Sequence, residues 1–216
     1  MKKRINLPTK ITIARIVLVL ALLVALFVFE ILGQNGYRGT MLGDSGISLV
    51  HLIACVVFVI ASATDALDGY LARKWNQVTD LGKFLDPIAD KMLVNSLFIF
   101  LAVPSSFVSG QMVVPVFCVI LMVLRDLIVD TLRFLAASKG EVLAANIFGK
   151  LKTVAQMVAI PFVLLNGWPF SLFDSSWGAG SIAHILVYIA TFLSLISGVI
   201  YVVQNRHVLA SKESEE

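Results

Sequence analysis

Six apolar stretches, each about as long as a bilayer-crossing helix, follow one another along this chain. A bilayer core of about 30 Å is spanned by roughly 20 helical residues, and 58% of the 216 residues are hydrophobic. The stretches are continuous and do not alternate between apolar and polar residues, which favours helices over a β-barrel. The predicted spans are residues 16–32, 47–67, 84–103, 112–135, 144–165 and 182–203. The sequence therefore predicts an all-α, polytopic membrane protein with six transmembrane helices, forming a single domain over residues 1–216.

The Lys and Arg residues lie almost entirely on one side of these spans. They gather before span one, around the connections between spans two and three and between spans four and five, and after span six; only Arg38 lies on the other side. Because basic loops stay in the cytoplasm, we expect both termini on the cytoplasmic side. Residues 1–12 predict a short interfacial helix that contacts lipid headgroups. A cleavable signal peptide is the alternative for this segment, but no small-residue cleavage site follows it.

Four carboxylates interrupt the apolar pattern, at Asp65, Asp68, Asp86 and Asp90. The first two are three residues apart in span two and the last two are four apart in span three, so each pair shares a helix face. An Asp at the centre of a membrane helix costs about 2.5 to 3.5 kcal/mol, so a positive partner is needed. Two Mg²⁺ or Mn²⁺ ions can share bridging carboxylates while holding a phosphoryl group. We therefore predict a two-ion site, although cytoplasmic water would suffice for any single Asp near a helix end.

Further residues extend this pattern, which reads DxxDGxxAR and, eight residues later, GxxxDxxxD. The pattern resembles the signature of the CDP-alcohol phosphatidyltransferase family, whose members are integral membrane enzymes. The predicted six-span topology extends the likeness over nearly the whole chain. The resemblance implies transfer of a phosphatidyl group from CDP-diacylglycerol to an alcohol, with release of CMP.

The resemblance also implies roles for individual residues. Asp65, Asp68 and Asp86 would ligate the first ion; Asp65, Asp86 and Asp90 would ligate the second. Asp90 would in addition be the catalytic base that takes the hydroxyl proton of the acceptor. The implied CDP contacts are Asp65, Asp68, Gly69, Ala72, Arg73 and Gly82. Close helix packing explains either glycine equally well, and Arg73 has membrane anchoring as an alternative role.

The acceptor alcohol is predicted from stretches outside the signature. These stretches resemble the bacterial phosphatidylglycerophosphate synthases, a branch of the family, which implies glycerol 3-phosphate: LPTKITIAR, GKFLDPIADKMLV, LRDLIVDTLRFLAASKG and AANIFGKLKTVAQM. A charged acceptor needs cationic ligands, and two arginines eight residues apart can face one cavity. The candidates for the acceptor phosphate are Arg125, Arg133, Lys139, Lys150 and Lys152. Pairing of the arginines with Asp126 and Asp130 is the alternative, as is plain positive-inside topology for the lysines.

The N-terminal stretch LPTKITIAR carries three polar residues that fit the resemblance, Thr9, Thr12 and Arg15. Thr9 stands where family members often have Asn, which leaves its contact with the donor open. His51, His184 and His207 lack partners at ligand spacing, and Cys55 and Cys118 lie inside predicted spans. Packing or interfacial roles are the simpler interpretation for these five residues.

Three other functions stay open at this point. The same chemistry can act on serine, an inositol phosphate or phosphatidylglycerol. A divalent-cation transporter would also hold buried acids, but no second acidic cluster lies near the outer face. A non-catalytic scaffold is the third. The resemblance further implies a homodimer in the bacterial cytoplasmic membrane with its active site on the cytoplasmic side, and nothing indicates nucleic-acid binding.

Overall fold

In the computed structural model, the described residues form six α-helices and a terminal 3₁₀ turn. The structure describes residues 6–42, 47–75, 80–108, 112–141, 143, 147–169 and 179–208. The helices are α1 (Leu7–Gln34), α2 (Leu49–Lys74), α3 (Asp80–Leu101), α4 (Val116–Ser138), α5 (Ile147–Leu164) and α6 (Ala179–Gln204). The 3₁₀ turn at Arg206–Val208 follows α6. Within these described ranges there is no β-strand, only one isolated bridge between Met41 and Ser48. The predicted all-α class is confirmed.

Helix α1 differs from the prediction at its start. It begins at Leu7, with a proline in its first turn, and continues without a break to Gln34. Proline is tolerated there because the first amides of a helix have no intrahelical partner. Residues 7–12 are therefore the first turns of α1 and do not form a separate interfacial helix; residues 1–5 lie outside the described part. The reason is that no glycine or proline stands between Pro8 and Ile16 to separate two elements.

The surface of the bundle is apolar over wide areas. Seven large side chains on four helices are each more than 60% exposed: Val24, Phe27, Phe117, Phe134, Ile147, Phe192 and Val199. Apolar patches of this extent are rare on soluble monomers. By length and composition, three helices are suited to crossing a membrane, namely α1, α5 and α6. The described parts of α2, α3 and α4 carry more charged residues than the other three helices. Most of the charged residues in the six helices therefore lie in these three.

Contacts between helices show that their directions alternate. The first half of α1 contacts the last half of α2 and the first half of α3 through Arg15–Asp65 and Thr12–Asp86. The last turns of α1 meet the residues after α3, where Glu30 accepts hydrogen bonds from the Ser106 amide at 3.1 and 3.2 Å. We call the end where α1, α3 and α5 begin the polar end, and the other the opposite end.

Packing at the opposite end depends on close backbone approach. A Cβ added to Gly33 would lie 2.6 Å from the backbone nitrogen of Phe107, which follows α3. Phe107 is buried and belongs to the apolar core, which also contains Leu26 of α1 and Phe58 of α2. Glycine is thus needed at residue 33 because any side chain would push the connection away. This contact fixes the end of α1 against the residues that follow α3.

Candidate active site

Buried polar side chains collect at the polar end. Thr9, Thr12 and Arg15 of α1 are each no more than 3% exposed, although they lie in an apolar helix. Lys152 of α5 and Asp126 of α4 are likewise buried. Buried charges are costly unless they are paired and hydrogen-bonded. Their concentration at one end marks that end as the candidate site.

Two α1 side chains bring carboxylates from α2 and α3 together. Arg15 forms an ion pair with Asp65 of α2, and the Thr12 hydroxyl donates to Asp86 Oδ1 of α3 at 3.1 Å. Thr12 and Arg15 are three residues apart, so they are neighbours on one helix face. The two carboxylates therefore lie against adjacent positions of the same α1 surface. The Nε and Nη2 groups of Arg15 are buried and have no hydrogen-bond partner among the residues that the structure describes.

Asp90 lies one turn after Asp86 on α3 and is partly buried. Four charged side chains act on its carboxylate, namely the cations Arg15, Lys91 and Lys152 and the carboxylate of Asp126. Asp90 also lines a cavity of about 230 Å³ between α3, α4, α5 and α6. It therefore stands where the carboxylate group around α1 meets this cavity.

The donor atoms around α1 fit a hard cation. Carboxylate oxygens of Asp65 and Asp86, with the hydroxyl of Thr12, provide oxygen donors only, the chemistry that Mg²⁺ and Mn²⁺ prefer. The Asp68 side chain lies outside the described part, although its backbone belongs to α2. Among the described side chains, no three His, Cys, Asp or Glu residues form a group that could hold a metal. The four-carboxylate site thus stays a prediction whose donor chemistry is suitable.

A buried network crosses the cavity wall from α5 to α6. Lys152 Nζ donates to both oxygens of Asp126, at 2.7 and 2.8 Å. Arg125 Nη1 donates to Asp126 Oδ1 at 3.0 Å, and Arg125 Nη2 donates to Ser197 Oγ at 2.7 Å. A Cβ on Gly198 would lie 2.6 Å from Arg125 Cγ, so the arginine stem fills the space that this glycine leaves. The two cations are held by one carboxylate and one hydroxyl.

Other cations on the cavity wall have different partners. Arg133 Nε donates to the Tyr201 hydroxyl at 3.2 Å, and its guanidinium lies 5.4 Å from the centre of the tyrosine ring. Lys150 lines the cavity and is exposed. Lys91 forms an ion pair with Asp130 between α3 and α4. The cavity wall thus carries more cations than carboxylates, which suits an anionic ligand.

Comparison of the sequence with known proteins identifies the family of this chain. The sequence matches the CDP-alcohol phosphatidyltransferase family over residues 5–203. The chain belongs to that family. Three relatives are named CDP-diacylglycerol–glycerol-3-phosphate 3-phosphatidyltransferase. The protein of Bacillus subtilis is 39% identical, covering 94% of this chain and 97% of the relative. That of Mycoplasma pneumoniae is 37% identical (92% and 87%), and that of Haemophilus influenzae is 33% identical (92% and 92%).

The signature residues of this CDP-alcohol phosphatidyltransferase lie where α2 ends and α3 begins. The structure brings Asp65, Asp86 and Asp90 to the polar end, as the spacing predicts. Gly69 lies in α2, and Gly82 is buried in α3. The side chains of Asp68, Ala72 and Arg73 lie outside the described residues, as do residues 76–79 of the connecting turn.

The five cations predicted for the acceptor phosphate are not all brought together. Arg125, Arg133, Lys150 and Lys152 line the same cavity. Lys139 does not line it; its Nζ donates to the Val208 carbonyl at 2.6 Å and holds the 3₁₀ turn against the end of α4. Arg125 also forms the ion pair with Asp126 that the sequence left open as an alternative. Its side chain therefore pairs with a carboxylate and lines the cavity as well.

Several residues of the site were not assigned from the sequence. Thr12 and Arg15 had a signal, because they belong to the stretch that resembles the family. Ser197 and Tyr201 are polar positions four residues apart in an otherwise apolar helix, a spacing that places them on one face. Gln156 lies on α5 four residues after Lys152 and lines the same cavity, buried. Polar residues at helical spacing in an apolar span were therefore the usable signal.

Proposed function

We propose that this CDP-alcohol phosphatidyltransferase transfers the phosphatidyl group of CDP-diacylglycerol to sn-glycerol 3-phosphate, giving phosphatidylglycerophosphate and CMP. The observation that carries the proposal is the cavity beside Asp90. A carboxylate on α3 faces a wall that presents cations from α4 and α5. A phosphorylated alcohol carries two groups that match this cavity: its hydroxyl can hydrogen-bond to the carboxylate, and its phosphate can bind the cations. The names of the relatives agree with this acceptor.

Asp90 is the proposed catalytic base. A hydroxyl of glycerol 3-phosphate attacks the phosphorus that carries the diacylglycerol group, and the bond from that phosphorus to the bridging oxygen of CMP breaks. Asp90 takes the hydroxyl proton as the new P–O bond forms, so CMP leaves as the phosphate anion. A positioned base of this kind contributes about 10²–10⁴ in rate. Its place between the α1 carboxylates and the cavity supports this role.

The proposed metal ligands are the four signature carboxylates. Asp65, Asp68 and Asp86 would hold one Mg²⁺ or Mn²⁺ ion, and Asp65, Asp86 and Asp90 a second. Bound ions of this type neutralise phosphate oxygens and the leaving group. Arg15 keeps Asp65 oriented, and Thr12 does the same for Asp86 through its hydroxyl. The convergence of both carboxylates on one α1 face supports a shared cation.

The proposed donor contacts lie along the end of α2 and the start of α3. Gly69, Ala72, Arg73 and Gly82 would border the CDP group. Arg15, whose buried Nε and Nη2 have no partner among the described residues, would donate to the diphosphate.

The proposed setting is the bacterial cytoplasmic membrane. We propose six membrane spans, with both termini and the polar end on the cytoplasmic side, and a homodimer of single-domain subunits. The placement of the basic residues supports the orientation, the exposed apolar side chains support the spans, and the family match over residues 5–203 supports one domain. The homodimer has the family resemblance as its support.

Measurement of CMP release tests the proposed reaction. Purified protein in mixed micelles is supplied with CDP-diacylglycerol and Mg²⁺ or Mn²⁺, and glycerol 3-phosphate is compared with glycerol, serine and an inositol phosphate. We expect metal-dependent release with glycerol 3-phosphate and loss of release in Asp90→Asn. The matched control is Glu141→Gln, an exposed carboxylate that pairs with His207 and does not line the cavity.

The outcomes separate the alternatives. Release with a different alcohol would keep the chemistry and replace the acceptor. Full activity of Asp90→Asn would remove Asp90 as the base. Absence of release with every alcohol, together with metal flux in proteoliposomes, would favour transport.

A further inference from the structure

The carboxylate of Asp126 is the only acidic group, in the described part of the chain, that contacts two cations of the cavity wall at once. It lies in the middle of α4 and is 5% exposed. Both of its oxygens accept from Lys152 Nζ, and Oδ1 also accepts from Arg125 Nη1. The mechanism proposed above uses neither the charge nor the hydrogen bonds of this residue. A buried carboxylate inside a cavity for an anion works against anion binding, so its presence needs a reason.

Charge balance gives the first part of that reason. Lys152 is 7% exposed, and a buried ammonium without a counter-ion is strongly disfavoured. With Asp126 ionised, Lys152 stays charged at a fixed place on the wall. Without it, Lys152 and Arg125 would repel each other across a short distance in a medium of low dielectric constant. The carboxylate therefore permits two cations to lie side by side next to a ligand.

Geometry gives the second part. Arg125 is fixed at three points: Nη1 by Asp126, Nη2 by the Ser197 hydroxyl, and its stem by the space above Gly198. Ser197 is fixed in turn, since its hydroxyl donates to the Ser194 carbonyl at 2.8 Å. The Asp126 network, consisting of Asp126, Arg125, Lys152 and Ser197, thus joins α4, α5 and α6. A charged side chain held this way loses little conformational entropy when a ligand arrives.

The other cations of the wall show what the network leaves for the ligand. Arg133 uses Nε for Tyr201 and contacts no carboxylate among the described residues. Lys150 is exposed on the rim of the same cavity. Arg133 and Lys150 are therefore available to a phosphate without breaking a contact to a described carboxylate, whereas Arg125 and Lys152 are already held by Asp126. The cations held by Asp126 give the pocket a fixed position for a phosphate.

We propose that Asp126 is a positioning residue for the acceptor: it fixes Lys152 and Arg125 so that the phosphate of a phosphorylated alcohol is held at one place opposite Asp90. This inference rests on the proposed function, because it concerns the acceptor of that reaction. Asp126 touches no substrate in it and acts only through the two cations. It makes Asp126 a determinant of specificity for phosphorylated over neutral alcohols.

Steady-state kinetics on four proteins test this inference. The proteins are wild type, Asp126→Asn, Lys152→Gln and the double variant, with Glu141→Gln as control. The Michaelis constants for glycerol 3-phosphate and for CDP-diacylglycerol are measured separately by CMP release, and thermal unfolding is measured in the same detergent. Asparagine keeps the shape of Asp126 but turns one acceptor oxygen into a donor that faces the bound cations.

The expected result is a split between the two substrates. In Asp126→Asn the Michaelis constant for glycerol 3-phosphate rises at least tenfold, while that for CDP-diacylglycerol stays within twofold of wild type. The double variant is no worse than Lys152→Gln by more than about threefold, because Asp126 acts partly through Lys152 and the two effects are not additive. A purely structural role would move both Michaelis constants alike and would give additive effects.

Two results would overturn the role of Asp126 and leave the proposed function intact. In both, the wild-type protein is active with glycerol 3-phosphate. In the first, Asp126→Asn leaves both Michaelis constants unchanged; in the second, it raises both Michaelis constants equally. An inactive wild type would instead overturn the proposed function and this inference with it. Should Asp126→Asn not fold, Ser197→Ala decides: a rise of about threefold for glycerol 3-phosphate alone supports the network, and no rise contradicts it.

Discussion

The two halves of the polar end carry opposite charge. Around α1, the carboxylates of Asp65 and Asp86 meet one guanidinium, that of Arg15. Across Asp90, the cavity wall of α4 and α5 has four cations: Arg125, Arg133, Lys150 and Lys152. Two of them, Arg125 and Lys152, contact the carboxylate of Asp126. Lys91 and Asp130 pair with each other and add no net charge.

This difference separates the ligands that each half can take. An excess of carboxylates attracts cations, and an excess of guanidinium and ammonium groups attracts phosphate. In the proposed reaction the α1 half, which we call the donor half, holds divalent ions and the diphosphate of CDP-diacylglycerol. The α4–α5 half, which we call the acceptor half, holds the phosphate of glycerol 3-phosphate. Asp90 lies between them, where a proton must leave the acceptor as the donor is attacked.

The largest expected effect is at the boundary between the halves. Asp90→Asn keeps the size of the side chain and removes the proposed base, so kcat should fall about 10³-fold. Both Michaelis constants should change much less, because the two binding halves remain. CMP release at saturating substrates gives kcat, with Glu141→Gln as the matched exposed control. A loss below tenfold would mean that the boundary carboxylate is not the base.

The next largest effect distinguishes a cation of the acceptor half from a cation outside it. Arg133→Gln removes a guanidinium from the cavity wall, and the Michaelis constant for glycerol 3-phosphate should rise about 30-fold, close to 2 kcal/mol. Lys139→Gln tests the residue that the sequence predicted but that the structure places at the Val208 carbonyl. In this variant the Michaelis constant for glycerol 3-phosphate should change less than twofold. Equal rises in the two variants would return Lys139 to the acceptor site.

Much of the donor half could be predicted from the sequence. Asp65 and Asp68 at three residues, and Asp86 and Asp90 at four, are relations within single helices, and helical geometry fixes them. The six helices followed in the same way from continuous apolar stretches. Helix boundaries were predicted less accurately, because the start of α1 depends on whether polar residues such as Thr9 and Thr12 find partners inside the bundle.

The pairings of the acceptor half could not be predicted to the same extent. Asp126 and Asp130 lie on the same helix as Arg125 and Arg133, and the sequence left their pairing open. In the structure, Asp130 pairs with Lys91 of α3, and Arg133 bonds to Tyr201 of α6. Such pairings depend on the rotation and depth of one helix against another, which periodicity within a helix does not determine.

A smaller effect should separate the halves by their response to metal. Arg15→Gln removes the guanidinium that pairs with the partly exposed carboxylate of Asp65, so the metal-free protein should lose about 1.5 kcal/mol of stability, as for a hydrogen bond to a charged group. Divalent ions should restore more stability in this variant than in wild type, because they supply the missing positive charge. Thermal unfolding with and without Mn²⁺ measures both quantities and needs no turnover.

The control for this response lies in the acceptor half. Lys150→Gln removes an exposed cation from the cavity rim, and its stabilisation by Mn²⁺ should equal that of wild type. An Arg15→Gln protein that responds to Mn²⁺ no more than wild type would separate Arg15 from the cation site.

The smallest expected effect compares two glycines at the two ends of the bundle. An added methyl group at Gly198 would lie 2.6 Å from Cγ of Arg125 and would displace that side chain on the cavity wall, whereas at Gly33 it would meet the backbone of Phe107. Gly198→Ala should therefore raise the Michaelis constant for glycerol 3-phosphate about threefold. Gly33→Ala should lower the stability by about 1 kcal/mol or more and leave that constant unchanged, because overpacking against backbone is relieved only by moving the helix. Kinetics and thermal unfolding of the two variants, measured side by side, check this contrast. If both variants changed the same quantity, the two ends would not be independent, and the acceptor half would owe its geometry to the packing of the whole bundle.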